Sequence, residues 1–181
     1  MSRLKKEQVV LGSGKLYHKE FTGTIPANEE IETEENIIAA IKGGSVLTYT
    51  PTIVTDQSDL GEVSVSIFQS EEATFKSGLM TIIGDTFKTL TSTARVTTED
   101  GVETVLIGGA DNHDGKSHLF HFVNSNKLRP VRVTVVGVNH KGFELSFKQD
   151  GAAVVDLEVK AEAMDDSGTK IKLQLGSKVS A

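Results

Sequence analysis

Five histidines, His18, His113, His118, His121 and His140, are the side chains of this 181-residue chain best suited to proton transfer or metal binding. Their spacing does not make a site. His118 and His121 lie three apart in a stretch that reads as a strand, so alternation sends them to opposite faces. His113 and His140 fall in loop-like sequence and His18 is remote, which leaves no expected acid-base set. Asp111-Asn112-His113-Asp114-Gly115 offers oxygen ligands, but it lacks the alternating donors and the later bidentate carboxylate of a calcium loop and reads as a polar turn. Gly12-Ser13-Gly14 lacks both the glycine spacing and the Lys-Ser/Thr of a phosphate loop. There is no nucleophile elbow, Walker loop, dinucleotide fingerprint or His-Glu-x-x-His pair, and there is no cysteine to act as nucleophile, thiolate ligand or disulfide partner. The expectation is a protein without catalysis, metal or cofactor, whose function resides in its surfaces.

Composition bounds those surfaces. Hydrophobic residues make up 38% and charged residues 24% of the chain, a globular balance rich in strand-favouring Val, Ile and Thr. The length suits a single domain, 1–181, with mobile ends at 1–8 and 177–181; Arg3, Lys5 and Lys6 read as a solvated start. No apolar run reaches the roughly 20 residues of a membrane span, and the start lacks a signal peptide's apolar core, so a soluble protein of a reducing cytoplasm is expected. The net charge of −6 opposes stationary binding to nucleic acid, which needs clustered Lys and Arg.

Strand patterns dominate. A long hairpin is expected over about 46–70, from arms 46–55 and 62–70 joined by a polar turn containing Asp56 and Asp59. On its arms Thr48, Thr50 and Thr52, and likewise Ser64 and Ser66, recur at period two, giving a strip of hydroxyls opposite Val63, Val65 and Ile67. Pro51, without an N–H, points to an edge or bulge. The strand continues over 71–79, with a bend expected at Lys76-Ser77-Gly78. The one convincing helix is expected at about 85–93: Phe87, Leu90 and Ala94 share a helical face that would pack on the sheet, and Asp85 would cap it. A shorter helix is expected over 34–42 behind Thr33.

The turn Glu99-Asp100-Gly101 predicts a second hairpin, 94–98 with 103–107. Alternation then marks strands carrying Val131, Val133 and Val135; Phe143, Leu145 and Phe147; Val155, Leu157, Val159 and Ala161; and Ile171, Leu173 and Leu175. Short turns between them predict an antiparallel meander, so the fold expected is mainly β, an antiparallel sandwich or barrel with one flanking helix. The acidic run over 26–35, with Glu29, Glu30 and Glu32 in it, reads as a surface that could meet a basic partner.

Several residues in order resemble one family. These are Ile41-Lys42-Gly43-Gly44 running into Leu47-Thr48-Tyr49 and Pro51, then Thr74-Phe75-Lys76-Ser77-Gly78, a hairpin ending in Gly108-Gly109, and the turn Asp165-Asp166-Ser167-Gly168. Over about 21–175 the chain resembles the major tail tube proteins of long-tailed bacteriophages, particularly the non-contractile, siphophage type. The resemblance implies six copies in a ring and rings stacked into a tube around an inner barrel, present in the virion and assembled in the host cytoplasm. It implies as partners the tape-measure protein, the tail terminator and the baseplate or distal tail proteins, with double-stranded DNA passing through without stable binding and no membrane insertion. The hairpin bearing Thr48, Thr50, Thr52, Ser64 and Ser66 would line the bore, and the loops of Glu29, Glu30, Glu32, Asp56 and Asp59 would meet neighbouring subunits or rings. A reading from another class, a monomeric β-sandwich binding module for carbohydrate or capsid decoration, would require an aromatic platform, and the chain has no Trp and two Tyr.

Overall fold

A computed structural model describes residues 13–57, 59, 61–81, 83–124, 130–145 and 153–176. The expected mobile ends, the basic start, the far part of the strand bearing Phe147 and the turn at Asp150-Gly151 lie outside the described residues.

The chain is mainly β and antiparallel. Its strands are β1 (Gly14–Glu20), β2 (Ile37–Ala39), β3 (Ile41–Gln57), β4 (Ser64–Leu79), β5 (Ala94–Glu99), β6 (Val102–Ile107), β7 (His118–Asn124), β8 (Val131–Asn139), β9 (Val155–Ala161) and β10 (Lys172–Leu175). The main sheet runs β2-β1-β7-β8-β9-β4-β3, with β10 added to β8, while β5 and β6 pair separately. β2 and β3 stand at opposite ends of that order, yet only Ala40 separates them in the chain, so the sheet must curl back on itself. Ala40 ties the seam: its N–H donates to Thr81 Oγ1 at 2.7 Å and its carbonyl accepts from Met80 N–H at 2.7 Å.

Inside the curl lies one core. Leu16, Phe120, Val135, Leu157, Val159, Phe75 and Leu79 come from five strands and are almost wholly buried, and the helix α2 (Gly84–Leu90) adds Leu90. β9 behaves as its alternation requires, with Val155, Leu157, Val159 and Ala161 in and Asp156 and Lys160 out. It pairs with β4 rather than with β10, because Phe75 meets Val159 and Leu79 meets Val155 on one apolar face. The expected simple meander therefore holds only through β7, β8 and β9; β10 returns to β8 beside residues 131–134. Gly137 stands where β8 passes from β10 to β9, and a Cβ there would meet the Lys160 carbonyl oxygen at 2.0 Å. Residues 143–145 form no strand; Phe143 instead places its ring edge against Phe87 of α2, 5.1 Å between centroids.

A second, smaller core covers the outer face of β1, β7 and β8, where Tyr17, Leu119 and Val136 meet Ile31 and Met164. Ile31 belongs to a one-turn helix, α1 (Asn28–Ile31), that the acidic run was not expected to form. The helix expected over 34–42 is absent: a 3-10 turn (Glu34–Asn36) gives way to β2, since Ile37, Ile38 and Ile41 are β-branched and both ends of this stretch are held by sheet pairing.

Three further expectations are corrected. Helix α2 stops at Leu90, where Thr91 turns extended, so Ala94 lies on β5 and not on the helix face. Asp85 does not cap it; its carboxylate pairs with Lys88 at 2.8 Å, and the Gly84 N–H at the helix start donates to Glu103 Oε2 of β6 at 2.8 Å. Nor is there a bend at Lys76-Ser77-Gly78: β4 runs unbroken to Leu79, and the irregularity falls on β3, where Gly43 and Gly44 bulge out between Lys42 and Ser45. The second hairpin is as expected, with Asp100 at φ 50° and Gly101 at φ 79° forming the two-residue turn that an Asp-Gly pair favours.

Candidate functional site

β3 and β4 are 17 and 16 residues long, and only their inner parts belong to the curled sheet. β9 covers the outer edge of β4 from Thr74 to Leu79 and no further, and β3 pairs with β4 alone. The remainder is a two-stranded ribbon projecting roughly 30 Å at about 3.3 Å per residue. Every described residue from 48 to 70 is exposed. Among the described residues, no strand pairs with either outer edge of this ribbon.

Cross-strand partners share a face, so the register assigns the two faces of the ribbon. One continues the core face of Leu47 and Phe75 outward through Tyr49, Pro51 and Ile53 to Thr55 and Gln57, opposite Ala73, Glu71, Phe68, Ser66 and Ser64. Tyr49 donates its hydroxyl to Glu71 at 2.7 Å and Thr55 shares a hydrogen bond with Ser66 at 2.9 Å, as that alignment requires. The other face carries Thr48, Thr50, Thr52, Val54 and Asp56 opposite Thr74, Glu72, Ser70, Ile67 and Val65.

The single hydroxyl strip expected from the sequence is thus divided. The register shifts between Thr52 and Ile53, where Gln69 is the extra residue on β4, and this bulge moves Ser64 and Ser66 to the face opposite Thr48, Thr50 and Thr52. Apolar side chains lie on both faces: Ile53 (59% exposed) and Phe68 (56%) on one, Val54 and Ile67 (59%) on the other. A strand with one wet and one buried face does not carry this pattern. Its sequence signal is the adjacent pairs Ile53-Val54 and Ile67-Phe68, which break the alternation.

The remaining expected site residues divide. Asp56 and Asp59 are exposed at the ribbon's far end, and Glu29 and Glu30 are exposed on α1. Glu32 is not a free surface group: its carboxylate takes a paired hydrogen bond from the Arg132 guanidinium, 3.1 Å for Nη2 to Oε2, and a third contact at 3.2 Å from His121 Nε2. Burial pushes the Glu32 carboxyl up, but the hydrogen bonds from Arg132 and His121 outweigh it and hold the group below its usual range. Burial in turn lowers His121 against the pull of Glu32, so its neutral ring donates from Nε2 and accepts the Thr134 hydroxyl at Nδ1, 2.8 Å away. Phe87 and Leu90 pack on the core as expected, Leu90 fully buried.

Four of the histidines, scattered in sequence, gather in space. His18 Nε2 lies 2.9 Å from His118 Nδ1, beneath Thr89 of α2. His113, His118 and His140 line a cavity of about 250 Å³ beside them. Burial, then the neighbouring His118, pushes His18 down to about 3, which keeps it neutral. His121, on the opposite face as alternation required, takes no part. Among the described residues no three His, Asp or Glu side chains are arranged to hold a metal ion, and no helix is long and apolar enough to cross a membrane. No protein-family model and no curated protein matches the chain.

Proposed function

We propose that this chain is the subunit of a bacteriophage tail tube: its projecting ribbons join between copies into the wall of a ring, six copies to the ring, and rings stack into a conduit for double-stranded DNA. The observation that carries this reading is the ribbon itself. An isolated two-stranded hairpin is marginal in water, and one with two open edges and aliphatic side chains on both faces invites pairing with another chain. A second copy supplies matching edges: with all ribbons pointing one way, the open edge of β3 in one subunit meets the open edge of β4 in the next in antiparallel sense, and a head-to-tail contact of this kind closes into a ring.

The faces follow from the register. The subunit body lies on the Leu47 and Phe75 side, so in a ring that side looks outward and Thr48, Thr50, Thr52, Ser70 and Glu72 look into the bore. Ser64 and Ser66 then belong to the outer side with Tyr49, Ile53 and Phe68. Hydroxyls and a carboxylate suit a conduit, because each Lys or Arg on a phosphate would add affinity that slows passage. Towards the far end the bore face becomes apolar at Val54, Val65 and Ile67, the part a neighbouring ring would cover. This reading brings with it the tape-measure protein inside the growing tube, and the terminator and baseplate proteins at its ends.

Sedimentation velocity of the purified full chain over a range of concentrations tests the proposal. Rings or tubes should appear as species of six copies or multiples of six; a monomer at every concentration, also in the presence of a tail initiator complex, would overturn it.

A further inference from the structure

The cavity beside His18 and His118 lies in the body of the subunit, away from the ribbon. Three segments close on it: Thr91 and Ser92 after α2, the loop of His113 and Lys116 leading into His118, and His140 after β8. Among the described residues no carboxylate lines it, in a chain whose net charge is −6. A hydrogen bond behind the lining turns the His113 imidazole into a donor without any change of charge. His113 Nδ1 accepts the Gly115 N–H at 2.8 Å, so the ring proton of the neutral form resides on Nε2. His118 is 8% exposed and its Nδ1 is engaged by His18, which leaves Nε2 as the nitrogen free for the cavity. Lys116 adds a full positive charge, held at present by Glu20 at 2.7 Å.

We propose that this cavity is a binding site for a small tetrahedral oxyanion of the phosphate type, held by Lys116 and the imidazoles of His113, His118 and His140 with the hydroxyls of Thr91 and Ser92. Donors reaching in from three separate segments suit an anion with oxygens in every direction better than a planar carboxylate gripped by one fork. The nearest carboxylates, Glu20 and Asp114, lie outside the lining and are engaged: Glu20 by Lys116 Nζ and Asp114 by the Lys116 N–H at 3.1 Å. Anion binding therefore competes with Glu20 for the ammonium.

That competition gives a two-sided test. Inorganic phosphate is titrated into the full chain at fixed pH and ionic strength while the imidazole and amide resonances are followed by NMR. The wild type should give saturable shifts at His113, His118 and His140. Lys116→Met should weaken the affinity by about tenfold or more, as loss of a charge-assisted contact does. Glu20→Gln, which frees the ammonium from an exposed pair, should tighten it by about two- to fivefold. Both substitutions are of exposed side chains, and unchanged amide spectra away from the cavity confirm the fold. Acetate should bind at least about tenfold more weakly than phosphate. Absence of saturable shifts up to about 50 mM phosphate, far weaker than millimolar binding, would overturn the site, as would equal affinity in the wild type and both variants. Acetate binding as tightly as phosphate would overturn the ligand class.

Discussion

At the scale of single residues, the buried polar groups are held to one protonation state by burial and by their neighbours, and that makes the protein sensitive to acid. His18 is neutral in the folded chain down to about pH 3, whereas the unfolded chain takes up its proton near the ordinary value of about 6.5. Between those limits the unfolded state binds more protons, so stability falls as pH is lowered through this window and recovers as pH is raised. The loss attributable to His18 is on the order of 3 kcal/mol by pH 4. Thermal melts of the wild type should fall more steeply between pH 6.5 and 4 than those of His18→Asn, whose curve should flatten; parallel curves would contradict a neutral His18. Glu32 has the same sign: its depressed carboxyl contributes stability that is present above its unfolded value and lost as pH falls through its folded one. Glu32→Gln should cost about 2 kcal/mol, read by urea denaturation at neutral pH, because Arg132 and His121 lose a charged acceptor.

Elements differ in how far they could be read from sequence. β9 and the Asp100-Gly101 hairpin were legible because their causes are local: strict alternation in one, and two residues that tolerate positive φ in the other. Helix α2 was legible in kind but not in extent or cap: it stops at Leu90, where Thr91 turns extended, and its start is held by Glu103 from another strand. The stretch 34–42 carries a helical pattern locally but forms a 3-10 turn and strand, because its pairing with β1 is a long-range fact. The split of the hydroxyl strip turns on one bulge residue, Gln69, whose local trace is the broken alternation at Ile67-Phe68 beside it, whereas the gathering of four histidines depends on which strands become neighbours and leaves none. Two predictions belong at this scale. Leu90→Ala should destabilise the fold by about 2–5 kcal/mol in chemical denaturation, as the only fully buried apolar anchor of α2 among the described residues. Phe68→Glu, on the exposed ribbon, should leave the melting temperature of the monomer within about 2 °C of wild type while abolishing higher species in sedimentation. A variant that unfolds would show that the ribbon is needed by the subunit rather than by its neighbours.

For the whole molecule, the contrast between body and ribbon is the central point. The body is a curled sheet whose end strands are joined through Ala40, with a buried core inside and a second small core on its outer face. Among the described residues the ribbon has neither core nor covered edge, yet it carries seven of the fifteen large apolar side chains that they expose. A chain that curls its own sheet back in this way and then extends two strands beyond it concentrates its capacity for association in those strands. On this account the body folds alone and the ribbon acquires its stability from like ribbons. Cryo-EM of the concentrated protein tests that claim most directly. The account predicts a tube of stacked six-fold rings whose inner wall is a continuous sheet of ribbons, with Thr48, Thr50 and Thr52 facing the bore and Ile53 and Phe68 facing outward; assemblies joined through the bodies, with the ribbons free at the periphery, would contradict it.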